Sequence, residues 1–261
     1  LEAGRPTVRN YLASEYQGRA QNMVAVQDSR GLFYFGNWAQ VLEFDGETWR
    51  GIAIPHAAHV RALAVDDHDP VYVGGVNELG YLDTDSQGGK TYVSLVSHLP
   101  SSALNFGELW STTITPQGVF YTASQHLFLW ANQRFTVWRL PSDSRLSSQW
   151  LGDFLYVTQP GVGLLKLEGN TFHLVSKDPI FTLEKHIPLL TRRSDGSILV
   201  CSVHQGLFEL RGHKLWPLPS EVNAFLKKNE AEAGFLLQQS RIAITTLLGG
   251  MVILNSDGSF A

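Results

Sequence analysis

The chain has 261 residues, 44% of them hydrophobic and 17% charged, which is enough apolar surface for a substantial core and too little charge for a disordered segment. Its formal net charge of −4 is spread without long acidic or basic blocks, so nothing electrostatic points to nucleic acid or an anionic membrane as partner. The single cysteine, Cys201, excludes an intrachain disulfide and a cysteine-based zinc cluster, and no run reaches the roughly 18 to 20 apolar residues of a membrane span.

A phrase recurs along the chain: an Asp- or Gly-bearing turn, an apolar run, a polar break, a second apolar run, another tight turn and an aromatic return. The first copy runs Asp28-Ser29-Arg30-Gly31, Leu32-Phe33-Tyr34-Phe35-Gly36, Val41-Leu42-Glu43-Phe44, Asp45-Gly46 and Trp49. The second carries Val71-Tyr72-Val73-Gly74-Gly75 and Leu79-Gly80-Tyr81-Leu82; the third Val119-Phe120-Tyr121 and Leu127-Phe128-Leu129-Trp130, returning to Trp138. The fourth holds Phe154-Leu155-Tyr156-Val157 and Gly163-Leu164-Leu165, the fifth Ile198-Leu199-Val200 and Gly206-Leu207-Phe208, then Trp216. The sixth, with Ile242-Ala243-Ile244 and Gly250-Met251-Val252-Ile253-Leu254, stops at Ala261 before its last strand.

β-branched and aromatic runs between turns that supply positive φ predict four short strands per unit. Repeats of about 35 to 50 residues match propeller blades better than shorter solenoid repeats. The expected fold is therefore all-β, one β-propeller domain over residues 1–261, with approximate blades at 20–54, 60–96, 109–140, 148–176, 187–218 and 234–261. Residues 7–11 offer a strand to close the sixth blade; otherwise the chain is a piece of a larger propeller whose exposed last blade seeks a second copy, giving a homodimer. A helix is expected over Ser220–Ala233, with Ser220 as cap and Glu221, Lys227, Lys228, Glu230 and Glu232 on a solvated face.

The wording Gln21-Asn22-Met23-Val24-Ala25-Val26-Gln27-Asp28, Gly31-Leu32-Phe33-Tyr34-Phe35-Gly36-Asn37 and Val41-Leu42-Glu43-Phe44-Asp45-Gly46, repeated in Val60-Arg61-Ala62-Leu63-Ala64-Val65 and Glu78-Leu79-Gly80-Tyr81-Leu82, resembles the two-component regulator propeller family. Such propellers form the exported sensor regions of bacterial membrane receptors, hybrid histidine kinases and some diguanylate cyclases. The resemblance implies a periplasmic, non-catalytic input domain that meets the membrane only through segments absent from this chain.

In a propeller the loops between second and third strands converge at one mouth of the channel. Here they carry Asn37, Trp38, Asn77, Glu78, Gln125, His126, Gln159, His204 and Gln205, a set able to hydrogen-bond and stack a small polar ligand such as a sugar or another nutrient. The alternative use of the same residues is to cap turns. Arg61, Trp110 and Trp150 precede innermost strands, within reach of the same mouth, although packing between blades is the favoured use of each Trp, whereas Trp49, Trp138 and Trp216 recur on outer strands as repeated packing. No carboxylate pair, nucleophile elbow, phosphate loop or metal motif is legible, so neither catalysis nor a metal or other cofactor is expected. A protein-interaction propeller is the second reading, and a propeller lyase or hydrolase the third.

Overall fold

The computed structural model describes residues 8–56, 58–66, 70–142, 144–237 and 240–261. Sheet 1 comprises β1 (Val24–Gln27), β2 (Phe33–Gly36), β3 (Gln40–Phe44) and β4 (Trp49–Ala53), and sheet 2 comprises β5 (Val60–Val65), β6 (Val71–Gly75), β7 (Leu79–Thr84) and β8 (Lys90–Ser94). Sheet 3 holds β9 (Leu109–Thr115), β10 (Gly118–Ala123), β11 (His126–Ala131) and β12 (Arg134–Arg139). Sheet 4 holds β13 (Ser147–Leu151), β14 (Phe154–Gln159), β15 (Gly163–Glu168) and β16 (Thr171–Ser176). Sheet 5 holds β17 (Leu189–Arg192), β18 (Ile198–Ser202), β19 (Gly206–Arg211) and β20 (Lys214–Pro217), and sheet 6 the three strands β21 (Ala231–Leu236), β22 (Ile242–Thr246) and β23 (Gly250–Leu254).

In every sheet the spatial order is the chain order, the meander of a propeller blade, and the fold is a six-bladed β-propeller. Sheet 6 begins a fourth strand in a single bridge, Leu254 to Phe260. The segment expected to close it, residues 7–11, does not form a strand at residues 8–11, and Thr7 lies outside the described residues. Tyr11 instead sets its ring edge-on to Phe44 and Trp49, with centroids 5.1 and 5.4 Å apart.

The chain divides into two compact units, one of residues up to Tyr121 together with Phe128–Val137, the other of Thr122–Leu127 with Trp138–Ala261. In the first, Tyr34, Val41 and Ile52 of sheet 1 pack on Val60, Leu63, Val71 and Val73 of sheet 2. The approach is close enough that a Cβ on Gly36 would lie 2.5 Å from the Val60 carbonyl oxygen, which is why the run ends in glycine there. In the second unit, Tyr156 and Leu164 pack with Leu190, Ile198 and Val200, while Leu189, Leu199 and Cys201 pack with Ile242 and Ile244. Cys201 is fully buried, and burial raises its thiol pKa well above the ordinary value, as suits a small core hydrophobe.

Two helices interrupt the meander. α1 (Pro179–Leu183) went unread in the sequence; Asp178 caps it by accepting the Ile180 N–H at 3.1 Å. α2 (Asn223–Asn229) is shorter than the expected 220–233. It stops because Glu230 takes φ 57° and the next residue enters β21. Nor is Ser220 its N-cap: it lies two residues before the cap position, donates to Gly258 O at 2.6 Å and accepts from Val222 N.

Candidate functional site

In the first unit, a cluster forms where the β2–β3 loop meets the chain entering β5 and β9. Asn37 is fully buried. Its Oδ1 accepts the Arg19 N–H at 2.9 Å, and its Nδ2 donates to Arg19 O, Gln21 O and Asn22 Oδ1 at 2.8, 3.2 and 2.6 Å. The backbone oxygen of Asn37 takes the Val60 N–H at 2.9 Å. One side chain thus fixes residues 19–22 beside the loop that presents Trp38.

Trp38 is 50% exposed. The Arg19 guanidinium lies 5.9 Å from its ring centroid and the His59 ring 5.6 Å away, and a cavity of about 370 Å³ opens between Trp38, Arg19, Gln21 and Met23. His59 and Arg61 flank Val60 at the start of β5. Arg61 is the extra residue of a bulge, since the β5–β6 register jumps from Val60 to Ala62. Both reach one carboxylate: Glu108 Oε1 bonds His59 Nε2 and accepts Arg61 Nε at 2.9 Å. The Arg61 guanidinium sits 4.9 Å over the Trp110 ring. His59 Nδ1 is buried and makes no hydrogen bond among the described residues.

Asn77 supports this cluster, whereas Glu78 turns away from it. Asn77 Oδ1 accepts the Gly107 N–H at 2.7 Å and its own N–H bonds Gly107 O, which sets Glu108 in place through the Val76–Glu108 bridge. Glu78 is buried and turned to Tyr92 OH and Ser94 Oγ, at 2.8 and 2.5 Å.

In the second unit the amides of Gln125 and Gln159 are spent on one connecting segment, donating to Ser142 O at 3.0 Å and Pro141 O at 2.7 Å. His126 is buried; burial first, and Arg139 second, lower its pKa, so it is neutral near pH 7. His204 and Gln205 are exposed on the β18–β19 turn, their N–H groups bonded to Ser202 Oγ. Ser202 is itself held by the buried Glu184 carboxylate, which also takes the Val203 N–H at 2.8 Å.

A second charged group lies near His204. His186 is buried, with Nε2 3.1 Å from the Glu232 backbone oxygen and 3.7 Å from its carboxylate, and Arg145 approaches the same carboxylate at 3.5 Å. Burial and then Arg145 lower the His186 pKa against the opposing pull of Glu232, and His204 adds to the lowering. Among the described residues no group of three or more His, Cys, Asp or Glu side chains is placed to hold a metal ion.

Of the nine loop residues, Trp38 thus presents its side chain to solvent beside a charged partner and His204 and Gln205 are exposed on their turn, while Asn37, Asn77, Gln125 and Gln159 tie loops together. His59, Glu108, Arg19, His186 and Glu232 were not legible as site residues. Of the outer-strand tryptophans, Trp49 stacks on Phe44 at 4.2 Å and Trp138 packs edge-on to Phe172 and donates to Asn170 O. Trp216 departs from the expected packing and is 54% exposed.

No family model and no curated protein matches the sequence. Among solved structures the chain is similar to virginiamycin B lyase from Staphylococcus aureus, at 12% identity and TM-score 0.68 over 95% of this chain and 84% of that one. It is similar to YCF48 from Cyanidioschyzon merolae, at 12% identity and TM-score 0.61 over 85% and 78%. It is also similar to the extracellular domain of a B. thetaiotaomicron protein assigned as a hybrid two-component system, at 14% identity and TM-score 0.55 over 89% of this chain and 37% of that one. At these identities the likeness establishes the β-propeller fold. No described helix is long and apolar enough to cross a membrane.

Proposed function

We propose that this propeller is a periplasmic signal-input domain of a bacterial membrane receptor, and that the Trp38 cluster binds a small polar ligand such as a sugar or another nutrient. The carrying observation is the half-exposed Trp38 indole near both the Arg19 guanidinium and the His59 ring, at a cavity it lines with Arg19, with His59 Nδ1 making no hydrogen bond among the described residues. An indole face supplies a stacking platform, and the imidazole and guanidinium supply directional hydrogen bonds. The wording of the first two repeats and the likeness to a two-component extracellular domain support the receptor context. A binding rather than catalytic role is favoured because the one carboxylate of the cluster, Glu108, is already shared between His59 and Arg61. Signalling requires that the ligand favour one receptor state over the other.

Calorimetry and thermal shift against a panel of sugars and other nutrients test this reading. A ligand whose affinity falls about tenfold or more in Trp38→Ala and in His59→Ala supports it. A ligand indifferent to both substitutions, or no ligand at all, counts against it.

The second reading, a protein-interaction propeller that also forms homodimers, is favoured by one separate observation. Phe235, Leu236, Leu247, Leu248 and Met251 of sheet 6 and its turns are all more than half exposed. Sedimentation of the wild type beside a Phe235→Ser/Met251→Ser variant distinguishes a self-associating face from a monomeric one.

A further inference from the structure

The cavity beside Trp38 contains a cation that the fold holds in place and does not use. The main chain of Arg19 is fixed on both sides: the buried Asn37 accepts its N–H at 2.9 Å and donates to its carbonyl at 2.8 Å, and Tyr16 Oη donates to the same carbonyl at 3.1 Å. The guanidinium itself is exposed, lines the cavity, and makes no hydrogen bond or ion pair among the described residues. Other arginines of the same unit are paired. Arg30 lies 2.8 Å from the Asp28 carboxylate, Arg61 2.9 Å from Glu108 and Arg9 3.9 Å from Glu15.

The cluster holds no carboxylate to spare for Arg19. Glu108 is shared between Arg61 and His59, so the two arginines outnumber the one carboxylate whatever the state of His59. The rest of the lining is equally unspent: the Gln21 side-chain amide and the Trp38 indole N–H make no hydrogen bond among the described residues, and Ala20 and Met23 supply apolar surface.

Each of these groups asks for a different feature of a ligand. The guanidinium fork matches a carboxylate through two parallel N–H donors. The amide offers one donor group and one acceptor, the pairing a hydroxyl needs, and the indole face takes the apolar side of a ring. A molecule that satisfies all three carries a carboxylate and hydroxyls on one ring. At about 370 Å³ the cavity is at the small end of the roughly 300–1,000 Å³ of ligand pockets, which suits a single ring or the terminal ring of a chain.

We infer that the Trp38 cavity takes a sugar acid, a hexuronate whose carboxylate pairs with Arg19 while its ring lies along Trp38. This rests on the Trp38 cluster being the ligand site and adds the charge and class of the ligand. Because Asn37 already fixes the Arg19 main chain, less ordering remains to be done on binding.

Calorimetry of the folded protein against D-glucuronate and D-galacturonate, each beside its neutral parent glucose or galactose and beside benzoate, tests this. At least one uronate is expected to bind about tenfold or more tighter than its parent sugar and than benzoate, and Arg19→Gln is expected to abolish that preference. The Arg19 side chain bonds nothing among the described residues, so the variant is expected to melt as the wild type does and its loss of affinity reads recognition. A neutral sugar that binds as tightly as its uronate, and is lost in Trp38→Ala, overturns the acid specificity and leaves the ligand site standing. Uronate binding unchanged in Arg19→Gln, benzoate binding as tight as uronate, or neutral sugars binding where uronates do not also overturns the proposal, and binding of no sugar, neutral or acidic, removes the ligand site with it.

Discussion

Replacing Asn37 with alanine distinguishes a loop tie from a ligand-contacting residue. The side chain is fully buried and makes four hydrogen bonds, to Arg19 N and O, Gln21 O and Asn22 Oδ1. At a net of about 1 kcal/mol for each bond, less where residues 19–22 regain water, the loss is about 3 kcal/mol. For a chain of this size that corresponds to a fall of roughly 6 to 12 °C in the melting temperature. The donor and acceptor assignment adds a second arm. Asn37→Asp preserves the acceptor for Arg19 N but turns an oxygen toward three oxygens that now receive the amide hydrogens, so at neutral pH it destabilises at least as much as alanine. Its folded pKa is raised above the unfolded value, so the penalty is relieved as the pH falls through that folded pKa and the carboxyl regains a proton to donate. The assay is thermal melting of each variant at pH 7 and pH 4, with hydrogen exchange at the Arg19 amide as the local readout. An alanine variant melting within about 1 °C of the parent, with Arg19 still protected, refutes the reasoning.

Two histidines with depressed pKa values, His126 and His186, make stability depend on pH. Their folded pKa values lie below the ordinary value of about 6.5, so the unfolded chain binds more protons as the pH falls below about 6.5 and stability declines with it. His126→Gln/His186→Gln is expected to flatten the melting-temperature curve between pH 7 and pH 5; an unchanged slope contradicts this. Asp45 accepts from Thr48 Oγ, Thr48 N and Glu47 N, which hold its carboxyl pKa at about 2. In an NMR titration Thr48→Val is expected to move that midpoint toward the ordinary aspartate value of 3.8, and no movement removes Thr48 as the cause. On Gly80 a Cβ would lie 2.1 Å from the Val93 carbonyl oxygen, so Gly80→Ala is expected to cost about 1 to 3 kcal/mol in urea unfolding, and a neutral result contradicts the close approach.

Turn chemistry and apolar period made the sheets legible, because a strand and its hairpin are local. The Asp28-Ser29-Arg30-Gly31 turn, for instance, closes through Asp28, whose carboxylate accepts the N–H groups of Arg30 and Leu32. The site was less legible because its partners are not local. His59 and Glu108 are 49 positions apart, His186 and Glu232 46, and no spacing rule connects them. Asn37 and Gln159 have residue types that suit a ligand, and only the structure shows their amides turned to backbone carbonyls. Trp216 shows how neighbours decide what a repeat position does. Trp138, on the outer strand β12, is covered by Phe172 on the outer strand of the next sheet. Trp216 lies on the corresponding strand β20 but stays 54% exposed, beside a sheet 6 whose fourth strand amounts to the single Leu254–Phe260 bridge among the described residues.

The two charged clusters share a construction that explains why a repeat fold can carry different chemistry in each unit. Arg61 is the second residue of β5 and Glu232 the second residue of β21, and at both the register jumps by one residue, Val60 to Ala62 and Ala231 to Ala233. A bulge there frees one side chain from the inward and outward alternation and re-aims it without disturbing the strand that follows. In each case the re-aimed charge meets a histidine and an ion of opposite sign from neighbouring chain entries: Arg61 with His59 and Glu108, Glu232 with His186 and Arg145. The residue before each bulge is buried, Val60 in β5 and Ala231 in β21 both at zero exposure, while the strand that follows keeps Leu63 buried in β5 and runs from half-buried to exposed in β21. Core packing therefore constrains the residue before each bulge, Val60 and Ala231, while the bulged residue itself is free to carry a charge. Repeat wording identifies the packed strand residues well and the charged clusters poorly, since each cluster is built on the position where the repeat's own periodicity is broken.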